Sequence, residues 1–334
     1  MKKLFKRYLI LVSILYIFIG CTMEPPVSEN ISPYDYLPFC NSEKLVYLDE
    51  EPTLKFSESD DLPVIEGATA LLPVYCSFAE AVYPSTTVAW CTKNKDGTYN
   101  FPKAEDIIVD YNSGTTSAYN NLIDRKVDII FVAYPSQKQI DKALENGIEF
   151  NFTPIGKEAF VFVVNSKNPV SSLSSQQVKD IYTGKITNWK QVGGKNRKIK
   201  AFQRSQGSGS QSAFLRFMDN DKNIIEPRTT LVYDAMFGLV NEISDYNNGK
   251  DAIGYSFRFF IERMANNPGV KMINLDDVKP SVENIQNGSY PVASYFYAVT
   301  RKGEETENVK KFLDWMVTDQ AQNIITKTGY VGVN

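Results

Sequence analysis

Apolar runs alternate with turn-forming residues along the chain from Leu62 onward. Gly, Ser and Thr follow the first two runs, and apolar residues at helical spacing come next. The third run is continuously apolar, as in strands buried on both faces of a parallel sheet. This order of strand, turn and helix predicts β-α-β units, with the turns collected at the carboxyl ends of the strands. The three predicted strands are 62–66, 107–111 and 127–133.

Two later apolar runs, 159–164 and 293–299, predict long strands that enclose a separate set of elements. These elements comprise a helix at about 175–182 and a strand at 199–202. The final segment, 309–326, has the apolar spacing of one amphipathic helix.

Two α/β lobes account for this arrangement of elements. We predict that lobe 1 comprises residues 62–155 plus 294–334. Lobe 2, including the hinge crossings, comprises 156–293. The two long strands are expected to cross between the lobes and to form the hinge. The predicted fold class is therefore α/β, with two lobes joined by crossing strands.

Residues 1–20 have the pattern of an export signal and are left out of the fold. Basic residues precede an apolar run that is too short to span a bilayer comfortably. Gly20 precedes Cys21, which resembles a bacterial lipoprotein signal, whose cysteine becomes the lipidated first residue. The alternative is an ordinary secretory signal with a chance cysteine. Both place the mature chain outside the cytoplasm, and the first adds a lipid anchor to the membrane.

Residues 21–61 are rich in Pro, Ser and acidic side chains, which predicts a tether followed by an irregular arm. Within this arm, 44–48 is a candidate edge strand. Cys76 lies in an apolar pattern, so we expect it to be a buried free thiol. A disulfide between Cys40 and Cys91 stays open, because an exported chain permits one.

The composition excludes several classes of function. The chain has 334 residues and a net charge of −3, with no basic run outside the N-terminus, so we expect no nucleic-acid partner. It contains no histidine, which removes Ser-His-Asp and Cys-His catalysis and histidine metal sites. We therefore expect a protein that is not an enzyme and holds no cofactor.

Candidate chemistry concentrates in residues 201–215, where a short apolar run leads into Arg204. Gly207, Ser208, Gly209 and Ser210 follow, and then a helical pattern begins. A helix N-terminus carries partial positive charge and free N–H donors, so it suits an anion. An arginine just upstream adds a fork that fits a tetrahedral oxyanion. The alternative is an ordinary Gly/Ser surface loop with an exposed arginine.

Two further turns rich in Ser, Thr and Gly also open predicted helices, at 67–69 and 112–116. If the lobes face each other, three helix N-termini converge on one cleft. Such a cleft supplies the many donors that a desolvated dianion requires. No Gly-x-x-x-x-Gly-Lys-Ser/Thr motif is present, which argues against a nucleotide P-loop.

A set of motifs in this order resembles the phosphate-binding proteins of ABC importers, which have the type II periplasmic-binding-protein fold. The resemblance covers about 62–334. It implies inorganic phosphate as the ligand, the permease subunits of an ABC importer as partners, and a monomer. The motifs that carry it are 66–75, 180–189, 204–210, 252–255 and 329–331.

The resemblance also implies which residues bind the anion. Arg204, Ser208, Gly209 and Ser210 match the family's arginine-to-threonine loop, with serine in place of the final threonine. The remaining ligand-binding residues it implies are Thr69, the backbone N–H of Ala70, and one of Ser113, Thr115 and Thr116.

One departure from the family pattern concerns selectivity. The family has an aspartate after the third strand, which accepts a hydrogen bond from protonated phosphate and repels fully ionised sulfate. Ala133 stands at that place here. Tyr134, Glu66 or Glu158 are candidates to replace the missing acceptor. Other oxyanions, such as sulfate or molybdate, therefore stay open as ligands, as do a solute-sensing lipoprotein and, less favoured, a phosphatase.

Overall fold

The computed structural model describes residues 43–85, 92–93, 99–100, 114–226, 232–233, 236–245 and 249–333. The predicted signal, Cys21 and most of the tether lie outside these residues, as do the predicted strand at 107–111 and Ser113. The strands are β1 (Ile65–Gly67), β2 (Thr92–Lys93), β3 (Tyr99–Asn100), β4 (Ile129–Ala133), β5 (Phe150–Asn165), β6 (Ser172–Leu173), β7 (Lys200–Ala201), β8 (Gln203–Arg204), β9 (Val232–Tyr233), β10 (Ala252–Phe257), β11 (Val270–Met272), β12 (Asn274–Leu275) and β13 (Ala293–Arg301).

Helices flank these strands, and short 3₁₀ turns lie at Thr69–Leu71, Trp189–Val192 and Gly249–Asp251. A π-helical turn, Phe260–Ala265, follows β10. The α-helices are α1 (Leu72–Val82), α2 (Gly114–Ile123), α3 (Gln137–Glu145), α4 (Ser175–Tyr182), α5 (Gly209–Phe217), α6 (Met236–Ser244), α7 (Val282–Gln286), α8 (Glu307–Met316) and α9 (Asp319–Thr328).

One sheet runs through the molecule in the order β1-β4-β13-β5-β10-β7, and β11 also pairs with β5. Strand β5 is 16 residues long and serves both halves of this sheet. Its first part pairs antiparallel with β13, from Phe150 to Ala159, and its second part pairs antiparallel with β10, from Phe160 to Val164. The predicted strand 159–164 therefore lies beside β10 and meets β13 only where Ala159 pairs with Ala293, whereas the part of β5 that lies beside β13 precedes the predicted limits.

The sheet is mixed, so the expectation of a parallel sheet is confirmed only locally. β1 pairs in parallel with β4, and β7 with β10. β13 is antiparallel to both β4 and β5. The predicted lobe limits, 155/156 and 293/294, stay predictions.

Strand β4 shows why its sequence is continuously apolar. Ile129 and Phe131 belong to the main core, where Tyr75 of α1 stacks on Phe131 with ring centroids 5.3 Å apart. Ile130 and Val132 face a second apolar cluster formed with α2 and α3. Helices thus cover both faces of the strand, as predicted. The buried free thiol of Cys76 is also as predicted.

Two predictions about elements are wrong. Residues 44–48 form no strand, and Leu45 is the one residue of this segment that is buried in the core. The segment 309–326 is two helices, α8 and α9, because Thr318 has an extended backbone, with φ −73° and ψ 161°. Its hydroxyl donates to the carbonyl of Trp315, which ends α8.

A buried ion pair fixes the region where β5 passes from one half of the sheet to the other. Glu158 lies 3.4 Å from the Nε of Arg258, and both side chains are buried. The same carboxylate accepts the backbone N–H groups of Ala159 and Phe259 at 2.8 and 3.1 Å. Burial nevertheless raises the pKa of Glu158 from its ordinary 4.5 to about 7, against the opposing effects of Arg258 and these amides.

This pKa predicts a specific pH dependence of stability. Between pH 4.5 and 7 the folded chain binds a proton at Glu158 more tightly than the unfolded chain. The free energy of unfolding should therefore fall by on the order of 3 kcal/mol as pH rises through this interval, and level off above it. Urea unfolding at successive pH values should show that Glu158→Gln lacks this slope. Parallel pH profiles of the two proteins would contradict the assignment.

Candidate anion-binding site

The predicted anion loop connects β8 to α5. Ser208 caps the helix, since its Oγ accepts the backbone N–H of Gln211 at 3.2 Å. Gly207 has φ +84°, a backbone conformation that favours glycine and turns the chain into the helix. The N-terminus of α5 therefore follows directly from the loop that begins at the carboxyl end of β8.

Arg204 is only 6% exposed, so the alternative of a surface arginine is wrong. Its Nη1 donates to the Oγ of Ser210 at 3.3 Å. Its backbone N–H lies 3.1 Å from both the Oε1 of Gln211 and the hydroxyl of Tyr255. The backbone and side chain of Arg204 are thus both tied to neighbouring polar groups.

Tyr255 of β10 helps to position Arg204 through contacts with Gln211 and α5. Its hydroxyl donates to Gln211, and its ring stacks on Phe214 of α5 with centroids 4.5 Å apart and planes 6° apart. Burial raises the pKa of Tyr255, so the hydroxyl stays protonated and able to donate. β10 and α5 therefore hold Arg204 in one orientation.

The first turn of α2 faces the first turn of α5. A β-carbon built on Gly209 would lie 3.0 Å from the Oγ1 of Thr115 and 3.7 Å from the Cβ of Ala133. A β-carbon on Gly207 would lie 2.9 Å from the Oγ1 of Thr116. Two predicted helix N-termini therefore meet, with Thr115 opposite Gly209 and Thr116 opposite Gly207.

Thr69 and Ala70 lie at the carboxyl end of β1. Because β1 is parallel to β4, and Ala68 N–H donates to the carbonyl of Phe131 at 2.8 Å, this end adjoins the end of β4 at Ala133. Ala68, not Thr69, occupies the N-cap position of the 3₁₀ turn, and no side chain caps it. Tyr330 fixes the next residue by donating its hydroxyl to the carbonyl of Ala70.

The side chains considered as replacements for the missing aspartate have other roles. Both carboxylate oxygens of Glu66 accept hydrogen bonds from Asn121, at 3.2 and 3.3 Å. Glu158 is held by Arg258, as described above. Tyr134 is 39% exposed, and its ring lies under the guanidinium of Arg216. Ala133 itself carries only an apolar methyl group to the wall that faces Gly209.

Sequence reasoning missed three residues that support the site. Gln211 and Tyr255 position the backbone of Arg204, and Tyr119 donates its hydroxyl to the carbonyl of Ala133 at 2.9 Å. Helical spacing placed Tyr119 in α2, and a family motif contained Tyr255, but neither signal shows which backbone group a buried hydroxyl reaches.

An outer cavity lies next to the loop, between α2, α3 and α5. Two hydrogen bonds between residues that line this cavity join the segment that contains α3 to the segment that contains α5. Gln139 donates to the carbonyl of Gly207 at 3.4 Å, and Arg216 donates to the carbonyl of Tyr134 at 3.1 Å. Among the residues that the structure describes, no three acidic or cysteine side chains are grouped to hold a metal ion.

A sequence model described as the PBP superfamily domain matches residues 64–320. The chain belongs to this superfamily. Two relatives are called phosphate-binding protein PstS. The one from Bacillus subtilis is 33% identical over 172 residues, 51% of this chain and 53% of that protein. The one from Borreliella burgdorferi is 22% identical over 277 residues, 75% of this chain and 95% of that protein. This PBP chain thus spans about half the length of its Bacillus relative.

Solved structures show the same two-lobed fold. One, with bound phosphate, is of a Clostridium perfringens protein assigned as a phosphate ABC transporter substrate-binding protein. It has a TM-score of 0.60 and 25% identity, covering 81% of this chain and 98% of that chain. An ABC-type phosphate transport receptor from Vibrio cholerae has a TM-score of 0.55 and 24% identity, covering 80% and 98%. The predicted type II periplasmic-binding-protein fold is confirmed.

The close approach of α2 and α5 predicts the effect of adding one methyl group. Gly209→Ala places a β-carbon 3.0 Å from Thr115, which pushes the two helix N-termini apart. If these helix ends enclose a tetrahedral oxyanion, its affinity should fall about tenfold, since overpacking of this kind costs about 1–3 kcal/mol. Isothermal titration calorimetry measures it.

Ser212→Ala in the same helix is the matched control, because its buried hydroxyl has no hydrogen-bond partner among the described residues. Equal affinities of the Gly209 variant, this control and the parent would show that α2 and α5 do not enclose the anion.

Proposed function

We propose that this chain is an extracytoplasmic solute-binding protein that captures inorganic phosphate between its two lobes and delivers it to the permease subunits of an ABC importer. The observation that carries the proposal is the buried Arg204 at the N-terminus of α5, facing the N-terminus of α2. The names of the Bacillus and Clostridium relatives support phosphate as the ligand and an ABC importer as the partner.

The physical argument concerns the cost of burying an anion. A desolvated dianion is stable only when it is paired and fully hydrogen-bonded. Arg204 supplies a formal charge, and the hydroxyls of Thr115 and Ser210 supply neutral donors near two helix N-termini. We assign Thr69, Ala70, Ser208 and Gly209 to the remaining donors, and Ser113 or Thr116 to the edge of the site.

This arrangement favours binding over catalysis. Hydroxyls and backbone N–H groups hold an anion, but a phosphatase needs a group that activates a nucleophile. The chain has no histidine for that role. Binding between lobes instead shifts an equilibrium between open and closed forms, and a permease recognises the closed form.

Cys21 would attach the chain to the membrane through covalently bound lipid, and residues 21–61 would form the tether. The chain would act as a monomer. Within the described part of the chain, no helix has the length and apolarity to cross a bilayer. Radiolabelled palmitate incorporation that disappears in Cys21→Ser tests the anchor independently of the ligand.

Arg204 is predicted to dominate affinity. Arg204→Ala removes the buried charge and its hydrogen bonds to the anion, so phosphate affinity should fall on the order of 100-fold or more. Arg204→Lys keeps the charge but loses the planar fork and should lie between. Calorimetry with Arg125→Ala as a control tests this, because Arg125 is an exposed cation that pairs with Glu304 at the surface. An unchanged dissociation constant for Arg204→Ala would overturn the site.

A second candidate function is binding of another tetrahedral oxyanion, such as sulfate or molybdate. Ala133 favours this second candidate, because the side of the site that it forms has no carboxylate to accept a hydrogen bond from protonated phosphate or to repel sulfate. A sensing role would use the same cleft without a permease, so a direct permease-binding assay separates the two.

Restoring the acid should restore discrimination. Ala133→Asp adds an acceptor for protonated phosphate and a like charge against sulfate, so the ratio of sulfate to phosphate dissociation constants should rise about tenfold or more. Ala133→Asn has nearly the same shape without the charge and is the control. The idea fails if both variants change the ratio equally in competition calorimetry.

A further inference from the structure

A second pocket lies in the β10–β7 half of the sheet, far from the anion loop. β7 and β10 are parallel, with Lys200 opposite Ala252. The Arg204 loop follows the carboxyl end of β7, whereas the pocket lies at the amino ends of both strands. Its cavity has a volume of about 270 Å³, and its lining includes Asn168, Trp189, Lys195, Arg197, Lys250 and Asp251.

Positive charge prevails in this pocket. Lys167, Lys195, Arg197 and Lys250 line it, against the single carboxylate of Asp251. That carboxylate lies 3.3 Å from the Nε of Arg197. Lys195 is exposed and makes no ion pair with any residue that the structure describes.

The sequence around the pocket extends this imbalance. Six Lys or Arg residues lie within 185–200, and no Asp or Glu occurs between 181 and 218, although the whole chain has a net charge of −3. The positive potential is therefore a local feature of this surface, and it favours an anionic partner.

Asn168 supplies an independent indication of a ligand. It is 4% exposed, and its side-chain carbonyl accepts the backbone N–H of Val170 at 3.0 Å. Its side-chain NH₂ group donates to no residue in the described part of the chain and remains open to the cavity that Asn168 lines. An acceptor bound in the cavity would therefore replace water at this donor, whose side chain is otherwise buried and held in place.

The floor of the pocket is rigid. Trp189 is 2% exposed, and its indole Nε1 donates to the carbonyl of Asp251 at 2.9 Å. Its own carbonyl accepts the N–H of Gly194 at 2.8 Å, which fixes the turn that leads to Lys195. The cavity is thus held open by the fold, with mobile lysine ends at its rim.

We propose that this pocket is a second anion-binding site, selective for a small phosphate-bearing group. The amide of Asn168 and the guanidinium of Arg197 contact the phosphate oxygens, and Lys195 and Lys250 neutralise the charge. Two sources share this chemistry: a soluble phosphate ester, and the headgroup of an anionic lipid. Because the lysines are solvated, binding here weakens with salt more steeply than in the buried cleft.

Trp189 gives a readout that separates this pocket from the cleft. The full chain, labelled with ¹⁵N at tryptophan, is first saturated with inorganic phosphate and then titrated with glycerol 3-phosphate. We expect the Trp189 indole signal to shift saturably, while the Trp315 signal, from the core beside α1, stays in place. Flotation with phosphatidylglycerol vesicles, against neutral phosphatidylcholine vesicles, tests the lipid source.

Two variants and one control decide the outcome. Asn168→Asp keeps the acceptor for Val170 but replaces the NH₂ donor by a negative oxygen, and should abolish binding. Lys195→Gln should weaken it about fivefold. Lys138→Gln on α3 removes the same charge elsewhere and should change nothing.

A response to the ester alone, to the vesicles alone, or to both supports the site and identifies its source. No response to either probe overturns it, as does an equal loss in Lys138→Gln, which would show a diffuse charge effect. Arg204 variants leave these results unchanged, so failure of the cleft assignment is distinguishable.

Discussion

Strand β5 is the constraint on which the rest of the structure depends. Its backbone groups pair with β13 over the first ten residues and with β10 over the next five. Tyr255 of β10 lies opposite Phe162 of β5, so the position of β5 determines where Tyr255 stands. Tyr255 in turn bonds the backbone of Arg204. The orientation of Arg204 therefore depends on β5, the strand that both halves of the sheet share.

Burying an anion here requires donors that arrive from separate parts of the chain. β8 brings Arg204, α5 brings Ser210, and α2 brings Thr115 from the other half of the sheet. They approach only because Gly207 and Gly209 have no β-carbon, as the short distances to Thr116 and Thr115 show. The two glycines therefore do more than form the turn. Because they have no side chain, they also determine how closely the positive N-termini of α2 and α5 can approach each other.

Local patterns in the sequence predicted much of this structure. Helix α4 has the predicted limits, because Ser174 and Gln177 form a capping box visible at fixed spacing. The break at Thr318 was missed because the apolar period continues across it. The antiparallel pairing of β13 was also missed, since periodicity does not specify which distant strand becomes a neighbour.

The candidate site likewise contains some features that the local sequence predicted and others that depend on the assembled fold. The Arg204 loop was recognisable because its residues are consecutive, and a helix cap and a fork-shaped cation have local signatures. The roles of Gln211, Tyr255 and Tyr119 depend on hydrogen bonds between elements far apart in sequence. The burial of Arg204, which eliminates the surface alternative, is likewise a property of the assembled fold.

The two hydrogen bonds at the edge of the outer cavity bear on kinetics. Gln139 to Gly207 and Arg216 to Tyr134 connect the two sides without using the anion. Each bond joins a residue of predicted lobe 1 to a residue of predicted lobe 2, so under the proposed function both would contribute to the barrier for opening. Under the proposed function, substitutions at these residues would change how long an anion is held without changing the groups that choose the anion.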